Sequence, residues 1–206
     1  MSALEELERL FREFPGIGPR QAKRFVYFLL TRNGDFLSSL SENIKKLRRE
    51  VILCNLCFRY FPTGLKKTHL CSICSAENRD HGTLLVVARD SDLETVEKSG
   101  VYRGLYFVLG GTLPILEKEP GGEIRIHELM SRLEKDGEGK KLKEIIFALN
   151  VNPEGENTAD YIREKIEPLS KKYGIKISLL GRGLSTGLEL EYSDPETLKY
   201  ALKNRE

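Results

Sequence analysis

Along the first fifty positions apolar residues recur with the period of a helix. Leu4, Leu7, Phe11 and Phe14 stand at 3-4-3 spacing, which gathers them on one face. Ser2 and Glu5 have the spacing of a reciprocal N-terminal cap. Pro15 to Gly18 ends that helix, and Pro19 suits the first position of the next, where a missing N–H costs nothing. The second helix is predicted to run to about Thr31, with Phe25, Phe28 and Leu29 inward and Asn33-Gly34 as its stop. A third carries Leu37, Leu40, Ile44, Leu47 and Val51, again at 3-4-3-4 spacing. Residues 1–53 therefore read as a small helical domain.

The pattern changes at residue 54. Residues 54–82 hold four cysteines, few periodic apolar positions and a turn at Pro62-Thr63-Gly64. Thr83 to Ala88 is then an unbroken apolar run, as in a strand covered on both faces. Helix and strand patterns alternate from there. A helix is predicted from Asp90 to Ser99, stopped by Gly100, and a strand in "LYFVLGG". A helix in "EIRIHELMSRLEKD" is bounded by Gly121-Gly122 and Gly137, and a strand spans Glu144 to Leu149. A long helix runs from about Glu156 to Tyr173 and closes at Gly174, followed by the strand "KISLL". The last helix has Asp194 as N-cap and Pro195 at its first position. Such alternation specifies an α/β layer with a mostly parallel sheet.

Composition narrows this picture without redrawing it. The chain has 206 residues, 40% hydrophobic and 31% charged, enough for one large domain or two to three small ones. No stretch reaches the about 18 uninterrupted apolar residues of a membrane span. The acidic, amphipathic start "MSALEELERLF" reads as a helix and not as a signal peptide, so a cytoplasmic location is the default expectation. The net charge of +2 conceals an asymmetry: residues 1–82 hold 14 Lys and Arg against 9 Asp and Glu, whereas residues 83–206 hold 19 against 22. A basic N-terminal part suits a polyanion, and an acidic remainder suits a basic partner or a metal, although ordinary solvated surface would give the same counts.

Three clusters carry chemistry. The first is "FPGIGPRQAKRF". A helix opened by Gly16 and Gly18 presents unpaired backbone N–H groups with no Cβ in the way, and its dipole favours an anion there. Arg20 and Arg24 are four apart and share a face, with Lys23 beside them, so they can reach flanking phosphates. A helix-hairpin-helix element holds a nucleic-acid backbone in this way without reading bases. A plain packing corner is the alternative, and the basic trio on the correct side favours DNA.

The second cluster is "CNLC" and "CSIC", which place Cys54, Cys57, Cys71 and Cys74 as two C-x2-C pairs. Two such pairs supply a tetrahedral four-sulfur shell for Zn2+ with no position left for water, hence one structural ion per chain. Two disulfides are the alternative, and a reducing cytosol argues against them. His69 and His81 lie nearby but are expected to be surface residues, since four thiolates satisfy the ion.

The third is "ALNVNPEGENTADYI", acidic residues following a strand, a setting that suggests Mg2+. Its Asn-x-Asn-x-Glu-Gly-Glu run resembles the second acidic motif of Toprim domains, which have Asp-x-Asp where this chain has Asn150 and Asn152. The Glu of their first motif corresponds to Ala88. Three positions that would hold metal are thus neutral, while Glu154 and Glu156 remain. Exchanging carboxylates for amides removes the charge that attracts a hard cation, and phosphodiester chemistry then lacks its Lewis acid. Weak Mg2+ binding through Glu154, Glu156, Asp90 or Asp92 stays open as an expectation.

These parts in this order resemble the RecR family of bacterial recombination mediators. The resemblance rests on "FPGIGPRQAKRF", the four cysteines, "YRGLYFVLGG", "PEGENTADYI" and "GRGLSTGLELEYSDPETLKYAL", and covers nearly the whole chain. It implies an α+β multidomain protein: a helix-hairpin-helix DNA-binding domain at 1–53, a four-cysteine zinc finger at 54–82, a Toprim-like α/β domain with a mostly parallel sheet at 83–174, and a C-terminal strand and helix at 175–206 that serve oligomerisation. It further implies a non-catalytic clamp, a dimer or a ring-shaped homotetramer, that acts in recombinational DNA repair with RecO and RecF to load RecA on gapped single-stranded DNA. Carried over by position, Arg20 and Arg24, with Lys23, would contact DNA, single-stranded, gapped or duplex and without sequence preference, and Glu154 and Glu156 would face RecO. The N-terminal helices would form one subunit interface and the segment from Arg182 onward another. The competing readings are an Mg2+-dependent Toprim nuclease or primase-like phosphotransferase, and a zinc-dependent scaffold that never touches DNA.

Overall fold

The computed structural model describes residues 2–64, 68–115, 124–139, 141–181, 184, 187 and 189–203. It separates into two compact units, Met1–Ile52 and Leu53–Glu206. The predicted glycine stop at 121–122 and the start of the C-terminal interface at Arg182 lie outside the described residues.

The first unit contains α1 (Ala3–Arg12), α2 (Pro19–Leu30) and α3 (Gly34–Glu50). The cap on α1 is reciprocal: the Ser2 N–H donates to the Glu5 carboxylate at 2.8 Å, and the Glu5 N–H donates to the Ser2 hydroxyl at 3.3 Å. Between α1 and α2 the chain turns at Gly16, whose φ of +75° lies in the left-handed region that favours glycine. The two helices meet through Phe11 and Phe25, edge to face at 5.6 Å between centroids, over the buried Ala22 and Val26.

Phe28 departs from its expected inward position. The buried residues of α2 are Ala22 and Val26, and Phe28 lies 44% exposed. It carries the Arg32 guanidinium 4.0 Å above its ring centroid and meets Phe36 edge-on. Val51 is the second departure: it has extended backbone, φ −118° and ψ 127°, and opens β1 (Val51–Leu53) instead of continuing α3. The stripe Leu37, Leu40, Ile44 and Leu47 is present, but α3 buries none of its residues, and Ile44 and Leu47 are 58% and 59% exposed.

The second unit holds β2 (Tyr60–Pro62), which pairs with β1, and then β3 (Asp80–Val87), α4 (Asp90–Ser99), β4 (Gly104–Val108), α5 (Ile126–Glu138), β5 (Glu144–Ala148), α6 (Pro153–Tyr173), β6 (Lys176–Leu179) and α7 (Pro195–Lys203). The main sheet has the order β4-β3-β5-β6, and each of its pairings is parallel. β3 is central, with Val86 opposite Phe107 on one side and Phe147 on the other.

Strand alternation divides the core into two layers. Leu84, Val86, Leu105, Phe107, Ile145 and Phe147 pack with Leu129 and Leu133 of α5 and Ile162 and Ile166 of α6. On the opposite face Leu85, Val87, Tyr106 and Val108 pack with Leu93 of α4 and with Cys54, Cys57, Cys71, Ile73 and Cys74. The cysteine segment thus shares its core with the sheet.

Two helix boundaries differ from expectation for identifiable reasons. Gly137 is no stop: α5 runs through it to Glu138, and the glycine makes room for Tyr173, since a Cβ at residue 137 would lie 2.6 Å from its ring. α6 begins at Pro153, earlier than Glu156, because Asn152 caps it through a hydrogen bond accepted from the Gly155 N–H at 2.8 Å.

An ion pair ties the approach to β3 onto α4. Arg79 binds both carboxylate oxygens of Glu97, one of them at 3.1 Å, and the Tyr106 hydroxyl donates to Glu97 at 2.9 Å. The Arg79 hydrogen bond holds the Glu97 carboxyl below its ordinary value. A depressed carboxylate contributes stability that is full above its unfolded pKa and is lost as pH falls through the folded value. Glu97→Gln, which cannot titrate, is therefore expected to lower the melting temperature near neutrality and to flatten its fall on acidification below about pH 4.5. Thermal melts across that range check this.

Candidate metal centre and nucleic-acid interface

Each C-x2-C pair closes on the equivalent backbone hydrogen bond. The Phe58 N–H donates to the Cys54 carbonyl at 3.0 Å, and the Ser75 N–H donates to the Cys71 carbonyl at 3.0 Å. The turns are joined by the Asn55 N–H to the His69 carbonyl at 2.9 Å, and the Cys71 N–H points at the Cys54 sulfur from 3.4 Å. All four sulfurs lie within 4.8 Å of one another, with Cys57 and Cys71 3.6 Å apart. A tetrahedral ion with Zn–S bonds of about 2.3 Å requires sulfur separations of about 3.8 Å, so the donor set fits. The cysteines are buried and free of disulfides.

The thiols titrate against one another. Hydrogen bonding with Cys57 holds Cys54 well below the ordinary thiol range, and the same contact pushes Cys57 up. A cation among them resolves that opposition by favouring thiolate at every position. A shell closed by four protein ligands would leave no open position for water. His69 and His81 are exposed and stand outside the cluster.

The glycine corner is a separate feature on the first unit. Gly18 is the N-cap of α2 with extended backbone and no side-chain cap, and a Cβ there would meet nothing within 4 Å. A Cβ at Gly16 would likewise meet nothing within 4 Å. Arg20, Lys23 and Arg24 are all exposed along the first turns of α2. Lys23 sits 6.0 Å above the ring of the exposed Tyr27, and Arg24 donates to Gln21 at 3.4 Å. α2 has no acidic residue in its first turn to compete for these cations.

At the Toprim-like positions the side chains serve the fold. Ala88 is buried, and its carbonyl accepts from the Gly110 N–H at 2.9 Å. Asn152 caps α6, and Gly155 lets the first turn close on Asn150, whose carbonyl oxygen would lie 2.0 Å from a Cβ at 155. Asp90 accepts from the Tyr60 N–H at 2.8 Å and Asp92 from the Arg89 N–H at 2.9 Å. Glu154 and Glu156 are exposed in the first turn of α6, where the helix dipole favours them. Among the described residues the four cysteines are the only group of three or more His, Cys, Asp or Glu side chains placed to share an ion.

Glu156 also borders a cleft of about 790 Å3 with Asn150, Asp160, Asp194, Thr197 and Tyr200. Asp160 and Asp194 thus join the acidic group beyond the Toprim-like motif. The i,i+4 spacing of Glu156 and Asp160 on one helix was the available signal; Asp194 had none.

Fold and site together define a Toprim-type α/β protein with a four-cysteine metal centre and a helical N-terminal unit. A family model described as Toprim domain matches residues 82–181, and one described as RecR, C-terminal, matches residues 183–206. The chain is 37% identical over 204 residues to Recombination protein RecR of Dehalococcoides mccartyi, covering 99% of this chain and 94% of that one. It is 39% identical over 202 residues to the protein of that name from Roseiflexus sp., covering 98% and 90%. With the one from Bdellovibrio bacteriovorus it shares 34% over 207 residues, covering 100% and 97%. The chain belongs to the RecR family of recombination proteins.

Proposed function

We propose that this protein is a non-catalytic DNA-binding clamp of recombinational repair, working in the cytoplasm with RecO and RecF to load RecA on gapped single-stranded DNA. The observation that carries the reading is the exposed row Arg20, Lys23 and Arg24 behind a helix terminus left open by Gly16 and Gly18. One phosphate fits the terminus, the cations grip its neighbours, and nothing in the arrangement reads a base. The ion in the four-cysteine centre is Zn2+, held by Cys54, Cys57, Cys71 and Cys74, and its part is to fix the fold.

Three basic residues per chain are few for tight binding by a monomer, so the clamp works as a homo-oligomer, a dimer or a tetrameric ring, that multiplies phosphate contacts and traps the strand. The uncovered apolar stripe of α3 supports an interface between copies. Glu154 and Glu156 present an acidic face suited to a basic partner such as RecO, and the nearby Asp160 and Asp194 extend that charge. Buried Ala88, the capping role of Asn152 and the backbone partners of Asp90 and Asp92 speak against an Mg2+-dependent nuclease or primase-like enzyme.

One titration tests the reading. Fluorescent oligonucleotides of unrelated sequence, single-stranded and gapped, should bind alike and release as salt rises, and remain intact with Mg2+ or Mn2+ present. Reproducible cleavage that is lost in Glu154→Gln would instead establish the enzyme. Absence of binding at low salt by folded, zinc-loaded protein would leave a scaffold.

A further inference from the structure

Among the described residues β4 is an outer strand of the main sheet, and its outward backbone groups face no further strand. The first cysteine turn takes that place. The Val108 N–H donates to the Cys57 carbonyl at 2.8 Å. Arg132, on α5 and only 6% exposed, donates from Nη1 to the Tyr106 carbonyl at 3.2 Å and to the Leu56 carbonyl at 2.5 Å. Arg125 donates from Nη1 to the Val108 carbonyl at 2.9 Å and to the Phe58 carbonyl at 3.3 Å. Three successive carbonyls of the turn, at Leu56, Cys57 and Phe58, each receive a donor fixed to the sheet or to α5.

The turn adopts a costly conformation to present them. Phe58 has φ +57°, the one non-glycine residue in the left-handed region among the described residues. Its ring is held against Phe107 at 5.3 Å and under the Arg125 guanidinium at 5.8 Å. Arg132 is itself braced through Nε by Asp136 at 3.1 Å. If the turn swung away, a buried guanidinium would lose one of its acceptors, which is more expensive than leaving a neutral group unpaired.

We propose that Arg132, seconded by Arg125, is a positioning residue of the metal centre: it holds the Leu56–Phe58 turn so that Cys57 keeps its sulfur aimed at the ion, and thereby sets how slowly the ion leaves. The inference rests on the four cysteines holding a metal. Full-length protein loaded with Zn2+ is first assayed for one ion per chain; a folded chain that takes up no zinc overturns that premise and the proposal with it. Release into excess chromogenic chelator is then timed for the unaltered protein, Arg132→Met, Arg132→Lys and the control Ile166→Ala, which removes buried core volume on α6 but no hydrogen bond of the turn. Arg132→Met is expected to release Zn2+ on the order of 10- to 100-fold faster while far-UV circular dichroism stays unchanged, Arg132→Lys to recover part of the difference, and Ile166→Ala to stay near the unaltered rate. With Co2+ in place of Zn2+, Arg132→Met should also shift the visible ligand-field bands. Release within about twofold of the unaltered protein, or Ile166→Ala matching Arg132→Met, overturns the proposal. Should Arg132→Met not fold, Arg132→Lys and Arg125→Met are read against the same control.

Discussion

Removing the metal, by chelation or by Cys57→Ser, is expected to cost far more than the cysteine segment itself. Structural zinc in isolated finger peptides is worth about 10–16 kcal/mol near neutral pH, comparable with the whole net stability of a typical domain. Here the cysteines do not sit apart. Cys54, Cys57, Cys71 and Cys74 fill the same core layer as Leu85, Val87, Tyr106, Val108 and Leu93. Without an ion, four buried sulfurs crowd together with nothing to stabilise thiolate or hold the two turns to each other, and the layer they share with the sheet loosens. Even if relaxation recovers most of the difference, a loss of about 4 kcal/mol would lower the melting temperature by roughly 8–16 °C in a unit of this size. Circular dichroism melts of zinc-loaded and chelator-treated protein check this, and adding Zn2+ back should restore the loaded curve. An unchanged melt after loss of the ion would mean that the sheet face stands without it.

Arg20→Ala combined with Arg24→Ala is expected to weaken DNA binding on the order of 10- to 100-fold near 0.1 M salt, equally for every sequence tested. The slope of log affinity against log salt should become shallower by about 1.5 to 2, since each lost phosphate contact stops releasing its counterions. Both side chains are exposed on α2, so the fold should be untouched. Equal affinity and an unchanged slope would remove both residues as contacts and leave the helix corner a packing device.

The parts that could be read from the chain are those whose information is local. Helix periodicity found α1, α2 and the stripe of α3, and the reciprocal cap at Ser2 and Glu5 is present as predicted. The apolar run from Thr83 became the central strand because a strand covered on both faces has no polar alternation to hide it. Two C-x2-C pairs suffice to gather four sulfurs, since each turn is specified by its own few residues. What escaped depends on packing that spacing alone does not specify. Phe28 fits the inward face by spacing, yet it turns outward to the Arg32 guanidinium. Gly137 looked like a stop because nothing nearby announces that Tyr173 needs the space. Arg125 and Arg132 read as ordinary helix charges, and only the packing of α5 against the cysteine turn gives them buried acceptors.

The seating of that turn on β4 has a bearing on quality control in the cell. A parallel sheet whose margin is bared offers a ready template to the strands of other copies. A chain that loses hold of this turn is therefore expected to associate with others through β4, so that the seating governs how much protein stays dispersed as well as how firmly each molecule is built.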